Sequence, residues 1–191
     1  MLDGAPHQCS FPLPAWETIR EYRWSPADKV WPMPNSDNLP SATRRWLEGC
    51  GAFDIAPKIR VFPGTKTAID AARAVGCRPS QIVKSLLFEV DGEAVLALVP
   101  GDRRLHTDSL ARAAGGNKVR RASLNRVKEA TGFAAGGTPP FGHDHPIRVF
   151  ADRALRRHDP VWAAAGTPTT VFSISLADLD RAAGPSWCEL S

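Results

Sequence analysis

Two apolar runs of strand length, separated by the dipeptide Asp91-Gly92, constrain the fold of this chain more than any other feature. The runs cover Ile82–Val90 and Glu93–Val99. Asp-Gly is favoured in two-residue hairpin turns because both residues tolerate positive φ angles. The sequence therefore predicts an antiparallel hairpin near the middle of the chain.

Helix-capping residues and glycine stops divide the chain on either side of this hairpin. Ser41 is the predicted N-cap of a helix that runs to about Glu48. Thr67 and Asp70 form a capping-box pattern for a second helix, which ends at Gly76. Further helices are predicted over Thr107–Ala114, Ser123–Thr131 and Ser175–Gly184, and further strands over Lys58–Phe62, Ile147–Phe150, Val161–Ala164 and Thr170–Ile174. This alternation indicates an α/β (α+β) fold with a mixed sheet.

The length of 191 residues fits one domain with some residues to spare. We assign residues 41–191 to that domain and residues 1–40 to an amino-terminal arm, which holds seven of the 17 prolines and three of the six tryptophans. Tryptophan is uncommon in disordered segments, so we expect Trp16, Trp24 and Trp31 to pack against the domain.

No segment of the sequence has the character of a membrane span or an export signal. No run approaches the roughly 20 apolar residues of a spanning helix, and the amino terminus lacks a basic start followed by an apolar block. The four cysteines, Cys9, Cys50, Cys77 and Cys188, show no paired spacing. We therefore expect a cytoplasmic protein with free thiols, no disulfide framework and no membrane partner.

The formal net charge of +4 conceals an uneven distribution of charge along the chain. Residues 103–128 contain eight basic residues and one acidic residue, a net charge of +7, whereas the remainder carries 16 basic and 19 acidic residues, or −3. A cationic zone of this kind suits a polyanionic partner. Two solvated helix faces would explain the same charges.

A stiff loop of glycine and proline covers residues 134–142. Gly136 and Gly137 permit close approach of the backbone to a ligand, while Pro139 and Pro140 fix the following turn and remove two amide donors. The remaining amides suit a carbonyl oxygen or a phosphate, by the logic of an oxyanion hole. The alternative is a tight connector between a helix and a strand.

Two further features could contribute chemistry. Lys84 lies where a strand meets the core, and burying its charge is costly without an anionic partner, so a phosphate or carboxylate contact competes with a lysine that reaches solvent. His143 and His145 could bind a metal ion from one side of an extended segment, although no third ligand is evident. No Gly-x-Ser-x-Gly motif indicates a serine nucleophile.

Together these segments resemble the YbaK/ProX family of aminoacyl-tRNA editing domains. Residues 67–76 resemble the first pocket helix of the family, residues 81–88 its lysine strand and residues 136–142 its glycine–proline loop. The likeness covers roughly residues 41–184. It implies a mixed, barrel-like sheet of about six or seven strands flanked by helices.

The resemblance implies a free-standing, trans-editing deacylase, which hydrolyses the ester of a tRNA mischarged with a small amino acid. The family is metal-independent and lacks an enzyme nucleophile, so no cofactor is expected. By analogy, Lys84 would hold the terminal phosphate or the substrate backbone, and Gly136 would position the scissile carbonyl through backbone amides. The attacking water would be oriented by a ribose hydroxyl, or the substrate's own side chain would attack.

The resemblance also assigns the remaining site residues. The substrate pocket implied in this way comprises Phe62, Thr67, Ser85, Gly137, Thr138, Pro139, Pro140, Gly142, Ala164 and Gly166. Acceptor-stem phosphates would meet Lys118, Arg120, Arg121 and Arg126. Several pocket positions depart from the Cys-tRNA(Pro) deacylases, which leaves Ala, Ser, Thr and Cys open as the amino acid removed.

Mischarged tRNA is therefore the expected partner, and an aminoacyl-tRNA synthetase is a second candidate. The sequence leaves two alternatives of another class. One is a catalytically idle tRNA- or synthetase-binding module of the same fold, and the other is a metal hydrolase that uses His143 and His145. The oligomeric state is left open.

Overall fold

The sheet is built around the predicted hairpin. The computed structural model describes residues 38–62 and 67–191, and in it β2 (Ile82–Val90) pairs antiparallel with β3 (Glu93–Pro100). Val90 lies opposite Glu93, and the turn residues Asp91 and Gly92 have φ angles of 51° and 94°. Two positive φ angles are what a type I′ turn requires, so the hairpin prediction is confirmed.

Six further strands complete a mixed sheet in the described part of the chain. They are β1 (Lys58–Val61), β4 (Val119–Arg121), β5 (Arg148–Asp152), β6 (Val161–Ala164), β7 (Thr170–Ile174) and β8 (Ser186–Cys188). The strand order is β1-β7-β6-β2-β3-β5-β8, and β4 pairs with β2. The β2–β6, β3–β5 and β5–β8 pairs are parallel, and the others are antiparallel. The mixed sheet is confirmed, with eight strands because β4 and β8, of three residues each, escape a pattern search.

Five α-helices flank the sheet in the same residues: α1 (Ser41–Cys50), α2 (Ala68–Val75), α3 (Thr107–Ala114), α4 (Leu124–Thr131) and α5 (Leu176–Ala183). The hydroxyls of Thr67 and Ser175 cap α2 and α5, as their capping-box patterns predict, and the hydroxyl of Ser123 caps α4. Ser41 is not a cap, because it is the first residue within α1. Pro40 occupies the N-cap position instead, and its carbonyl accepts the amides of Thr43 and Arg44.

Both faces of the sheet are buried. On one face, Trp46 of α1, Val127 of α4 and Leu179 of α5 pack in one core with Leu96 and its neighbours. On the other face, α3 covers a second core, and α2 covers a small third one. Residues 95–99 of β3 are completely inaccessible to solvent, which explains why all five are apolar.

Most of the predicted arm, residues 1–37, lies outside the residues that the structure describes. Leu39 is buried in the first core, immediately before the N-cap of α1. No helix within residues 38–62 and 67–191 is long and apolar enough to cross a membrane.

Leu96 offers a test of this packing. Leu96→Ala removes a fully buried side chain from β3 and should lower the free energy of unfolding by about 2–5 kcal/mol, because a cavity remains in the core. Leu124→Ala is the matched control, since this leucine is 74% exposed at the start of α4 and its loss should cost less than about 0.5 kcal/mol. Urea unfolding of both variants measures the difference, and equal costs would contradict the assignment of β3 to the core.

Candidate functional site

The lysine strand and the glycine–proline loop lie at one end of the sheet. Strand β6 runs parallel to β2, with Val83 opposite Ala163. Three residues beyond Ala163, the amide of Gly166 donates to the carbonyl of Gly137 at 3.0 Å. The sheet therefore places β6 beside the strand that carries Lys84, and the turn after β6 is bonded to the loop.

The first half of the loop rests on the turn between β6 and β7. Gly136 is exposed with a φ of 85°, and a Cβ placed there would lie 3.6 Å from Pro168. Gly137 is buried, and a Cβ there would lie 2.6 Å from the Cα of Thr167. Only glycine allows this close backbone contact. The buried Thr138 hydroxyl donates to the carbonyl of Ala134 at 3.2 Å and closes the turn.

The second half of the loop is buried against α1. Pro139 and Pro140 are both buried. The indole nitrogen of Trp46 donates to the carbonyl of Phe141 at 3.1 Å. Gly142 has a φ of 75° and passes so close that a Cβ would lie 3.1 Å from Cδ1 of Trp46.

Hydrogen bonds fix several carbonyls of the loop but leave some of its amides without an acceptor. The carbonyls of Gly137 and Phe141 accept bonds from Gly166 and Trp46, and Nε2 of His143 lies 2.9 Å from the carbonyl of Pro139. The amides of Gly136 and Thr138 have no acceptor among the residues that the structure describes. A loop that is fixed through three of its carbonyls, with two amides that have no acceptor in the described residues, can supply the donors that binding of an oxyanion requires.

Lys84 is half-buried, and its ammonium is held by the segment after β3. It donates to the carbonyl of Gly101 at 3.3 Å and to the carbonyl of Arg103. Burial lowers the pKa of Lys84, the nearby carboxylate of Asp102 raises it, and Arg104 lowers it. Across residues 38–62 and 67–191, no salt bridge reaches this ammonium and no hydrogen bond joins it to the glycine–proline loop.

Three predicted pocket residues lie in the turn between β6 and β7 or next to it. The amide of Phe62 donates to the carbonyl of Thr169 at 3.0 Å, and its ring packs on the α2 core. Ala164 ends β6 opposite Val171, and Gly166 is buried with a φ of 95°. The structure thus brings Phe62, Ala164 and Gly166 to the same turn that supports the loop.

Two other predicted pocket residues have different surroundings. The hydroxyl of Thr67 caps α2, where it donates to Asp70 Oδ2 at 2.7 Å and accepts the Asp70 amide. Ser85 follows Lys84 in β2, so its side chain points to the opposite face of the sheet. Its Oγ is buried and has no hydrogen-bond partner in the described part of the chain.

The predicted tRNA-contacting residues divide into two pairs. Lys118 and Arg121 are exposed. Arg120 and Arg126 instead share the carboxylate of Glu89, at 3.0 Å and 3.6 Å. Because Glu89 is buried, these two guanidinium groups neutralise a charge that would otherwise be costly to the fold.

The histidine pair has no metal-binding geometry. His143 contacts the carbonyl of Pro139, and burial lowers the pKa of its imidazole. His145 is exposed. Within residues 38–62 and 67–191, no group of three or more His, Cys, Asp and Glu side chains is placed to hold a metal ion.

Several residues that shape the site were missed by sequence reasoning. Trp46, Thr43 and Thr170 contact the loop or its supporting turn, yet each was counted only as part of a helix or strand. Their contacts span 95 and 127 residues of sequence. The local signal was Trp46 itself, a large aromatic residue that follows two arginines on α1.

Comparison with known proteins gives consistent results. A family model described as "Aminoacyl-tRNA editing domain" matches residues 63–182. The chain is 43% identical over 93 residues to a proline–tRNA ligase from Maridesulfovibrio salexigens, a match that covers 49% of this chain and 16% of the ligase. It is 34% identical over 116 residues to the uncharacterized protein YwhH of Bacillus subtilis, covering 60% of this chain and 73% of YwhH.

A solved structure also shares the fold. It is described as a candidate trans-editing enzyme for prolyl tRNA synthetase, and it superposes with a TM-score of 0.76 at 37% identity. The superposition covers 80% of this chain and 98% of that protein. The chain therefore corresponds to nearly all of this neighbour but to only 16% of the ligase from M. salexigens.

The environment of Lys84 can be tested by titration. The ammonium should titrate below the ordinary pKa of 10.5, and Asp102→Asn should lower the pKa further because it removes the carboxylate that raises it. Arg104→Gln should raise the pKa for the opposite reason. Since the pKa is lower in the folded chain, the protonated lysine disfavours folding, and this cost is relieved as the pH rises through the folded pKa. NMR titration of the lysine Cε resonances measures these shifts, and a midpoint at or above 10.5 would contradict burial of Lys84.

Proposed function

Because the chain belongs to the aminoacyl-tRNA editing domain family, we propose that it is a deacylase acting in trans on tRNA mischarged with a small amino acid. The reaction is hydrolysis of the ester between the amino acid and the terminal adenosine. The neighbour described as a candidate trans-editing enzyme, which the chain covers almost completely, supports action in trans. The relation to proline–tRNA ligases supports a tRNA substrate.

The observation that carries the proposal is the state of the glycine–proline loop. Trp46, His143 and Gly166 hold three of its carbonyls, while the amides of Gly136 and Thr138 have no acceptor in the described residues. Such amides stabilise the negative charge that develops on the ester carbonyl oxygen during hydrolysis. An aminoacyl ester is already activated, so placement and polarisation can suffice without an enzyme nucleophile.

Lys84 is proposed to supply the positive charge of the site. Two neutral carbonyls bind it, and no carboxylate of residues 38–62 and 67–191 lies within salt-bridge distance, which leaves its charge for an anion. The anion would be the phosphate of the terminal nucleotide, or the ammonium would bind a polar group of the substrate backbone. Either contact fixes the ester relative to the loop.

The attacking group is proposed to be water oriented by a ribose hydroxyl, or the substrate's own side chain. Water adds to the carbonyl carbon and forms a tetrahedral oxyanion next to the loop amides. The bond to the ribose oxygen then breaks, and that oxygen takes up the proton that the attacking water lost. The amino acid leaves as a carboxylic acid, which releases its proton to solvent and becomes a carboxylate. No side chain of the protein has to form a covalent bond with the substrate in these steps.

The basic segment is proposed to bind the acceptor stem. Lys118 and Arg121 are exposed and free of salt bridges within the described residues, which suits them to phosphate contacts. Arg120 and Arg126 can add to the same field while they also neutralise Glu89. Phosphate contacts of this kind make binding steeply dependent on salt.

Lys84→Ala tests the catalytic proposal. Wild-type protein should release amino acid from at least one of four tRNAs mischarged with Ala, Ser, Cys or Thr, and the variant should be about 10²-fold slower because it lacks the site's positive charge. The measurement is the rate of loss of labelled amino acid from tRNA. The tRNA that is hydrolysed also identifies the amino acid removed.

Lys58→Ala serves as the matched control, because Lys58 is an exposed lysine on β1. Its rate should equal that of the wild type. If none of the four tRNAs is hydrolysed while tRNA still binds, an idle tRNA-binding module becomes the better description. Full activity in Lys84→Ala would remove Lys84 from the mechanism.

The proposed tRNA surface is tested at Arg121, where loss of charge does not expose Glu89. Arg121→Gln should weaken tRNA binding and reduce the slope of log K against log salt by about 1, the value for one phosphate contact. Arg157→Gln, an exposed arginine outside residues 103–128, should leave the slope unchanged. Filter binding at several salt concentrations gives both slopes, and identical slopes for the two variants would exclude this surface.

A further inference from the structure

Helix α1 contacts the glycine–proline loop through a buried tryptophan. The side chain of Trp46 is 2% exposed, and its ring packs against Phe141 and Phe172, with centroids 5.5 Å and 4.4 Å away. Its indole nitrogen donates to the carbonyl of Phe141 at 3.1 Å. One side chain thus holds the downstream half of the loop by packing and by a directed hydrogen bond.

Two glycines bring the backbone of the site close to α1. A Cβ at Gly142 would lie 3.1 Å and 3.2 Å from two atoms of the Trp46 indole. A Cβ at Gly166 would lie 2.8 Å from the carbonyl oxygen of Ala42. Both glycines have positive φ angles, of 75° and 95°. The loop and the turn after β6 therefore each meet α1 at a point where any larger residue would be strained and crowded.

A chain of threonine hydroxyls connects α1 to the same turn. The Oγ1 atoms of Thr43 and Thr170 lie 2.9 Å apart, and those of Thr170 and Thr167 lie 2.8 Å apart. Thr43 and Thr170 are completely buried. Thr167 is the residue whose Cα borders Gly137, so the chain of hydroxyls ends where the turn supports the loop.

The helix therefore holds both parts of the candidate site from one rigid element. The loop and the turn are joined to each other by the bond from Gly166 to Gly137, and each is joined separately to α1. Helix α1 lies before residues 63–182, the segment that the family model matches. Its contribution is thus additional to the matched segment.

We propose that Trp46 and Thr43 are positioning residues for ester hydrolysis, which set where the amides of Gly136 and Thr138 lie. This inference rests on the proposed function. Neither residue touches the substrate, and each acts through the backbone that it holds. A displacement of catalytic groups by about 1 Å can lower the rate about 10²-fold. The contacts of Trp46 and Thr43 should therefore affect the chemical step more than substrate binding.

Two conservative variants test the proposal. Trp46→Phe keeps an aromatic ring but removes the indole donor, and Thr43→Val keeps the shape but removes the hydroxyl. Each should lower kcat for the mischarged tRNA by about tenfold or more while KM changes by less than about twofold. Amide hydrogen exchange across residues 134–142 of the free protein should be faster in both variants, because the loop has lost one of its fixed points.

Trp187→Phe is the matched control. It also removes an indole hydrogen bond, from Trp187 Nε1 to Asp180 Oδ1 at 2.6 Å, but on β8 at the other edge of the sheet. Its kcat and loop exchange should equal those of the wild type. Unchanged loop exchange in both Trp46→Phe and Thr43→Val, or equal effects of Trp46→Phe and Trp187→Phe, would overturn the proposal.

The same experiment separates this inference from the proposed function. If the wild-type protein hydrolyses no mischarged tRNA, the proposed deacylase activity fails and with it the catalytic role of α1, whereas the exchange data still show whether α1 holds the loop. If the wild type is active and both Trp46→Phe and Thr43→Val retain full kcat, the proposed deacylase activity stands and the positioning role alone fails. If Trp46→Phe folds poorly, the kcat and loop exchange of Thr43→Val still test the positioning role.

Discussion

The parallel pairing of β2 with β6 is the interaction on which the rest of the site depends. It sets Val83 beside Ala163, although about 80 residues of sequence separate them. From that register β6 ends next to Lys84, and the following turn reaches the glycine–proline loop through the bond from Gly166 to Gly137. A slip of one residue would reverse the faces of all side chains in β6 and remove this contact.

The effect of each charged side chain depends on its burial and its partners as well as on the number of charges. The carboxylate of Glu89 is buried, and its burial is tolerated because Arg120 and Arg126 neutralise it. The ammonium of Lys84 donates to two carbonyls and forms no salt bridge with the residues that the structure describes, although the carboxylate of Asp102 is near enough to raise its pKa. The basic segment thus contains arginines that neutralise Glu89 as well as exposed basic residues. A net charge of +7 does not distinguish these two groups.

Most elements of the fold could be predicted because their signals are local. The Asp91-Gly92 turn and the hydroxyl caps at Thr67 and Ser175 each act within a few residues, and all lie where they were predicted. The predicted cap at Ser41 is wrong because Pro40 occupies the N-cap position, and serine can also be the first residue of a helix. Strands β4 and β8 escaped prediction because three residues carry no period.

The sequence by itself determined the α/β class, the hairpin, the helix boundaries and a stiff loop with few amide donors, since these follow from turn and capping chemistry and from the covalent properties of glycine and proline. Only the tertiary structure decided which carbonyls of that loop are held, which face of β2 Ser85 occupies and which basic residues are neutralised. It also decided that Trp46 contacts Phe141 across 95 residues. Such contacts depend on strand register and helix packing. Both are set by burial of apolar residues from many segments together, so no periodic pattern within one segment predicts them.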